Sequence, residues 1–191
     1  MSKNKQANKL LHLFLLATFL ACFGTAKASQ TKEKLYEENV YPQAYCLALN
    51  MYYETRGSNL ADMAAVSDVV LNRVQDARYP NTICEVIYDA IMKERWETKQ
   101  HKDLPDSERK YIPVRNQCQF SWYCDGKPDE PRNIALFNKS LELAYYMTKM
   151  KKYRGISEGA THYHATYVSP GWRKDFTRIG RIGSHIFYRW D

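Results

Sequence analysis

The sequence contains no internal repeat and no low-complexity tract, which sets aside solenoid and array architectures. It has no His-Glu-x-x-His block, so nothing marks a helical zinc-protease site. Its basic residues form no concentrated stripe, which speaks against nucleic acid as a partner. Its one long apolar run, Leu10 to Phe23 broken by His12 and Thr18, is too short to span a bilayer comfortably.

What is present around that run has the layout of a secretory signal peptide: Lys3, Lys5 and Lys9 before it, then Ala26, Lys27 and Ala28 as a small-x-small cleavage site. We therefore expect residues 1–28 to be a signal segment, residues 29–41 a polar arm and residues 42–191 the working domain. A lipoprotein anchor at Cys22 is disfavoured by Phe19 and Leu20, and an uncleaved anchor is the other alternative. All three place the domain outside the cytoplasm, periplasmic or extracellular, with no stable membrane insertion after cleavage. The signal segment carries four lysines and no acid, so its loss lowers the net charge from +7 to +3. A mild positive charge suits an anionic polymer. The domain is expected to act as a monomer.

Cleavage leaves Cys46, Cys84, Cys118 and Cys124, an even count that favours disulfides in an oxidising compartment. The working pairing is Cys118 with Cys124 and Cys46 with Cys84, with the other connectivities open.

Tyr45 to Gly57 reads as a buried helix. It is free of Pro, rich in aromatic and helix-forming residues, and Gly57 can end it in a left-handed cap. Glu54 sits in the last turn, where the helix dipole disfavours an anion, and Tyr52 and Tyr53 dehydrate it. Desolvation should raise its pKa into a range useful for acid catalysis, while Arg56 pulls the other way. The plainer alternative is a Glu54–Arg56 pair at a solvated helix end.

A second helix is expected from Leu60 to about Val74, capped by Ser58 or Asn59, with Met63, Ala64, Val66, Ser67, Val70, Leu71 and Val74 inward. A third should run from Asn81 or Thr82 to Met92, followed by an irregular stretch, residues 94–116. Cys118 to Gly126 reads as an aromatic turn, Arg132 to Lys149 as a helix, and Thr161–Val168 and His185–Trp190 as strands. The fold class is α+β, mainly helical with a small C-terminal antiparallel β region.

Taken together, Tyr53-Glu54-Thr55-Arg56-Gly57, the Ala65 to Val74 run, Tyr79 to Cys84, Cys118 to Gly126, Gly159 to His164 and Gly183 to Tyr188 resemble the SleB/CwlJ family of cell wall hydrolases. The resemblance covers almost all of residues 45–190 in order. It implies a lysozyme-like catalytic domain that needs no cofactor and cleaves peptidoglycan glycan strands between N-acetylmuramic acid and N-acetylglucosamine. It also implies that Glu54 is the catalytic acid. Thr55 stands where Ala is usual, and Ser58 and Asn59 leave no second carboxylate there. A lytic transglycosylase needs one acid, whereas most glycosidases use two. Asp125 or Asp175 as a base for water would instead give a muramidase.

The expected substrate contacts are Arg56, Asn72, Gln119, Ser121, Trp122, Tyr163, His164, His185 and Tyr188: flat rings for sugars, and polar groups for hydroxyls and acetamido groups. Asn72 and Arg73 have the plainer reading of helix anchors. Two other functions remain open. His162, His164 and His185 on neighbouring strands would suit a metal-dependent peptidoglycan amidase, although no metal is expected, and a non-catalytic wall-binding module would tolerate loss of Glu54.

Overall fold

A computed structural model describes residues 40–191, so the expected signal segment and most of the polar arm lie outside the described residues. Residues Pro42–Asp191 form one unit. Its organising element is α1 (Pro42–Thr55), whose Pro42 occupies the first helical position, where its missing N–H costs nothing. Leu47, Ala48 and Met51 are fully buried, so this helix is apolar on most of its circumference. Helix α2 (Leu60–Arg73) is capped by Asn59, whose side chain accepts from the Asp62 N–H at 2.9 Å. Ser58 does not take that role. Helix α3 (Ile83–Ile87) starts at Thr82, which accepts from the Glu85 N–H.

The third helix expected to reach Met92 stops here. Tyr88 and Asp89 turn the chain into β1 (Ala90–Glu94). The 94–116 stretch is not irregular either: after the short α4 (Trp96–Lys99) it contains most of β2 (Tyr111–Cys118), antiparallel to β1 with Ala90 opposite Cys118 and Glu94 opposite Tyr111. The i, i+4 spacing of Ile87 and Ile91 mimics a helix, but strand pairing across some twenty residues decides the outcome. A 3₁₀ turn, Ser121–Cys124, follows, and α5 (Ile134–Lys149) is capped by Asn133 and packs its Phe137, Leu141, Ala144 and Met147 side against α1 and its neighbours.

The C-terminal sheet has the order β3-β5-β4, all antiparallel, from β3 (His162–Ala165), β4 (Thr177–Ile182) and β5 (His185–Arg189). Strand β4 is absent from the sequence reading; Gly180 at its bulge hides the alternation. The arrangement is α+β and mainly helical, with the hairpin β1–β2 as an addition to the expected C-terminal β region. One apolar cluster, Ala65, Val66, Val69, Ala160 and Phe187, joins α2 to the sheet.

Both working disulfides are present: Cys46–Cys84 ties α1 to α3, and Cys118–Cys124 staples β2 to the turn after it. Among the described residues no helix is long and apolar enough to cross a membrane.

Candidate active site

Helix α1 ends because Arg56 (φ 48°) and Gly57 (φ 82°) both turn left-handed. A Cβ at Gly57 would also lie 3.2 Å from a Leu136 methyl, so glycine answers both the backbone and the approach of α5. Glu54 is thereby fixed in the last turn, partly buried, with its side chain directed to the sheet. There the Tyr163 hydroxyl donates to its Oε2 at 3.0 Å. Burial pushes the Glu54 carboxyl above the ordinary carboxylate range. The Tyr163 hydrogen bond and the positive charges of His185, Arg73 and Arg56 oppose the rise without cancelling it. Burial and the adjacent Glu54 charge hold the Tyr163 phenol well above its usual value, so it stays a donor.

Two buried charged groups support this pair. Arg73, at the end of α2, donates from Nε to the Thr161 carbonyl at 2.7 Å and from Nη1 to Gln119 at 3.3 Å, with its guanidinium over the Tyr79 and Phe120 rings. Asp62, fully buried on α2, meets His185 Nδ1 at 2.8 Å and accepts from the Ser184 hydroxyl at 2.6 Å. Burial pushes the Asp62 carboxyl up, but the hydrogen bonds from His185 and Ser184 outweigh it and hold it below its usual value. The Tyr163 and His185 rings meet edge to face at 5.2 Å, so Asp62, His185, Tyr163 and Glu54 form one line from α2 through the sheet to α1.

Gly183, in the β4–β5 turn, lies against this line. It has φ 58°, and a Cβ there would fall 2.5 Å from that of Asp62. Gly183→Ala is expected to cost about 2 kcal/mol, an overpacking penalty at a site with no room to relax, read as a lower midpoint in chemical denaturation.

The remaining expected contacts separate into groups. His185 joins Glu54 and Tyr163. His164 and Tyr188 instead pair with each other on the opposite face of the sheet. The carbonyl of Ala165 can only accept, so His164 Nδ1 carries the proton, and Nε2 accepts from the Tyr188 hydroxyl at 3.1 Å. The Asn72 amide is engaged within the fold, donating to the Ala160 carbonyl and Ser157 and accepting from Arg154, which is the anchoring reading of this residue. Gln119 and Ser121 are exposed, and Trp122 is buried, stacked on Tyr53 at 4.9 Å with its indole N–H donating to Asn50.

The histidine cluster required by the amidase alternative does not form. In the β3–β5 register His185 faces Ala165, whereas His162 and His164 face Tyr188 and Ile186, so His185 points to the other side of the sheet from the pair. His162 stacks on Phe176 at 4.2 Å, and burial, with the Arg73 and Arg78 charges, lowers its pKa to about 4. Among the described residues no group of three or more His, Cys, Asp or Glu is arranged to hold a metal.

Asp62 and Arg73 are the partners that sequence reading missed as site groups. Asp62 precedes Met63 on a helix buried nearly all round, and a charge there looks like a solvated face. A cavity of about 450 Å³ opens on the other side of the α1 terminus, lined by Tyr52, Tyr53, Arg56 and Trp122 from one side and by the segment from Asp125 to Leu136 from the other.

This arrangement places a single desolvated carboxyl, held by a phenol at a helix end, where it could serve general acid chemistry. The family model described as Cell Wall Hydrolase matches residues 57–188, more than half of the chain. The chain belongs to that family and is an enzyme acting on peptidoglycan. Glu54 lies just before the matched segment.

Among solved structures the chain is similar to the catalytic domain of the germination-specific lytic transglycosylase SleB from Bacillus anthracis, at 22% identity over 77% of this chain and 93% of that one, with a TM-score of 0.49. It is similar also to the catalytic domain of the Bacillus cereus SleB protein, at 23% identity over 77% and 89%, with a TM-score of 0.48. At TM-scores below 0.5 it is the family match, not these structures, that carries the assignment. No curated protein matches the chain.

Proposed function

We propose that the protein is an exported lytic transglycosylase that cleaves glycan strands between N-acetylmuramic acid and N-acetylglucosamine, with Glu54 as acid and then base. The observation that carries the reading is the Glu54 carboxyl itself, raised by burial and held by the Tyr163 hydroxyl. Protonated Glu54 gives its proton to the glycosidic oxygen as the bond from C1 breaks. The resulting carboxylate, now hydrogen-bonded by Tyr163, takes the proton of the muramic acid 6-hydroxyl, whose oxygen closes on C1 to give a 1,6-anhydro end. The cycle returns Glu54 to its starting state, so one carboxylate suffices.

The muramidase alternative lacks support from the geometry. The largest charge effects on Glu54 come from His185, Arg73 and Arg56, all basic residues. Asp125 is engaged by the backbone N–H and ammonium of Lys127 and Asp175 is exposed, and among the described residues neither forms a hydrogen bond or ion pair that ties it to the Glu54–Tyr163 pair. Arg56, exposed beside the acid, and Gln119 and Ser121 remain the proposed contacts for sugar substituents. The amidase alternative loses its histidine group to the register of β3 and β5.

The pH dependence tests the reading. The acid works only when protonated, so cleavage of purified sacculi should decline as pH rises through the raised Glu54 pKa. The Tyr163 bond favours the carboxylate, so Tyr163→Phe should move this decline to higher pH while lowering the maximal rate. A decline left in place by Tyr163→Phe would contradict the assignment of the limb to Glu54.

A further inference from the structure

The cavity beside Glu54 has no part in the proton transfers, yet its lining is not that of idle surface. Its floor is the Tyr53–Trp122 stack, and the Tyr53 hydroxyl is buried without a hydrogen-bond partner among the described residues. Arg56, Arg132, Asp129 and Glu130 line the same cavity. Among the described residues none of these four charges forms an ion pair, in contrast to Asp125 and Lys127, which bridge each other at 3.1 Å. Both signs left open around one cavity suit a ligand that carries both signs itself.

Position narrows the ligand. Tyr53 shares the last turn of α1 with Glu54 and Arg56 follows directly after it, so the cavity begins within one helical turn of the acid and diverges from it around the helix. In peptidoglycan the stem peptide branches from the lactyl group of the muramic acid whose C1 is attacked. It carries free carboxylates and the ammonium of a diamino acid. Its length and polarity fit a cavity of about 450 Å³ with a flat aromatic floor.

We propose that this cavity seats the stem peptide of the muramic acid held at Glu54, with Arg132 taking a carboxylate and Asp129 with Glu130 taking the ammonium. The proposal rests on the reading of Glu54 as the acid. It makes the enzyme selective for peptide-bearing over denuded strands. Arg132 supplies a planar fork matched to a carboxylate, which a lysine would not reproduce.

The test compares kcat/KM of the purified protein on soluble uncrosslinked glycan strands with that on the same strands after amidase removal of the peptides. The expected ratio is about tenfold in favour of peptide-bearing strands, the effect of one well-formed charged contact. Arg132→Ala and Asp129→Ala should each bring it towards one. Activity on denuded strands shows that each variant is folded. A ratio near one in the wild type, or a ratio unmoved by both substitutions, overturns the proposal. In parallel, calorimetry with the free tetrapeptide L-Ala-γ-D-Glu-meso-diaminopimelate-D-Ala on Glu54→Gln separates the two readings. Should Glu54→Gln still cleave strands while it binds the tetrapeptide through Arg132, the acid assignment fails and the cavity assignment stands. Absence of tetrapeptide binding overturns the cavity assignment.

Discussion

Glu54→Gln should lower the rate of glycan cleavage by about 10³-fold, the usual contribution of a positioned general acid and base. The amide keeps the size of the side chain and can still accept from the Tyr163 hydroxyl, so the fold and the cavity beside it remain. The stability effect runs the opposite way. Burial raises the Glu54 pKa, so the folded state binds a proton that the unfolded chain has already released once pH passes the ordinary carboxylate range. Stability from this group is therefore present at low pH and lost as pH rises from the ordinary value through the raised one. Glu54→Gln removes that loss. Thermal unfolding at pH 4 and pH 7 should show the variant at least as stable as the wild type at neutral pH, with the advantage gone at the acid end.

The largest stability effect is expected at a residue that never meets substrate. Asp68 is fully buried on α2 and organises the loop that leads into β3. Its carboxylate pairs with Arg154, accepts from the Gly155 N–H at 3.2 Å, and accepts from both the N–H and the hydroxyl of Ser157 at 3.1 and 2.7 Å. The loop needs that centre because Lys151, Tyr153, Gly155, Glu158 and Gly159 all have positive φ, a path the backbone does not take unaided. Asp68→Ala strands the buried Ser157 N–H, releases the exposed Gly155 N–H and takes the anion from Arg154, which keeps the Asp68 carbonyl and Asn72, and should cost about 3 kcal/mol, or about 10 °C in Tm for a chain of this size. Calorimetry checks the magnitude. Because β3 carries Tyr163, the rate should fall as well, without the change in pH limb that Tyr163→Phe produces.

Much of this was legible in the sequence, and the pattern of failures has a physical cause. Helices α1, α2 and α5 were readable because their apolar periodicity and their Asn59 or Gly57 boundaries are local signals. Glu54 stood out because a lone acid in an aromatic helix end is locally anomalous. The hairpin β1–β2 and strand β4 were not readable, since Ile91 and Met92 are no more strand-like than helix-like until Ile112 and Pro113 lie opposite. The register of β3 on β5 likewise decides which side of the sheet a histidine takes, and a shift of one residue would have placed His185 with His164. Asp62 and Asp68 look like solvent-facing helix charges. Their burial depends on Ser184, His185 and the 154–157 loop, more than eighty residues away in sequence.

The most direct test of the single-acid account is mass spectrometry of the muropeptides that the purified protein releases from sacculi, run beside Glu54→Gln and a chelator control. The account predicts 1,6-anhydro-muramic ends from the wild type with and without chelator, and almost none from Glu54→Gln. Reducing muramic ends, lighter products being absent, would mean that water rather than the 6-hydroxyl attacks C1, and equal release by Glu54→Gln would remove Glu54 from the chemistry altogether.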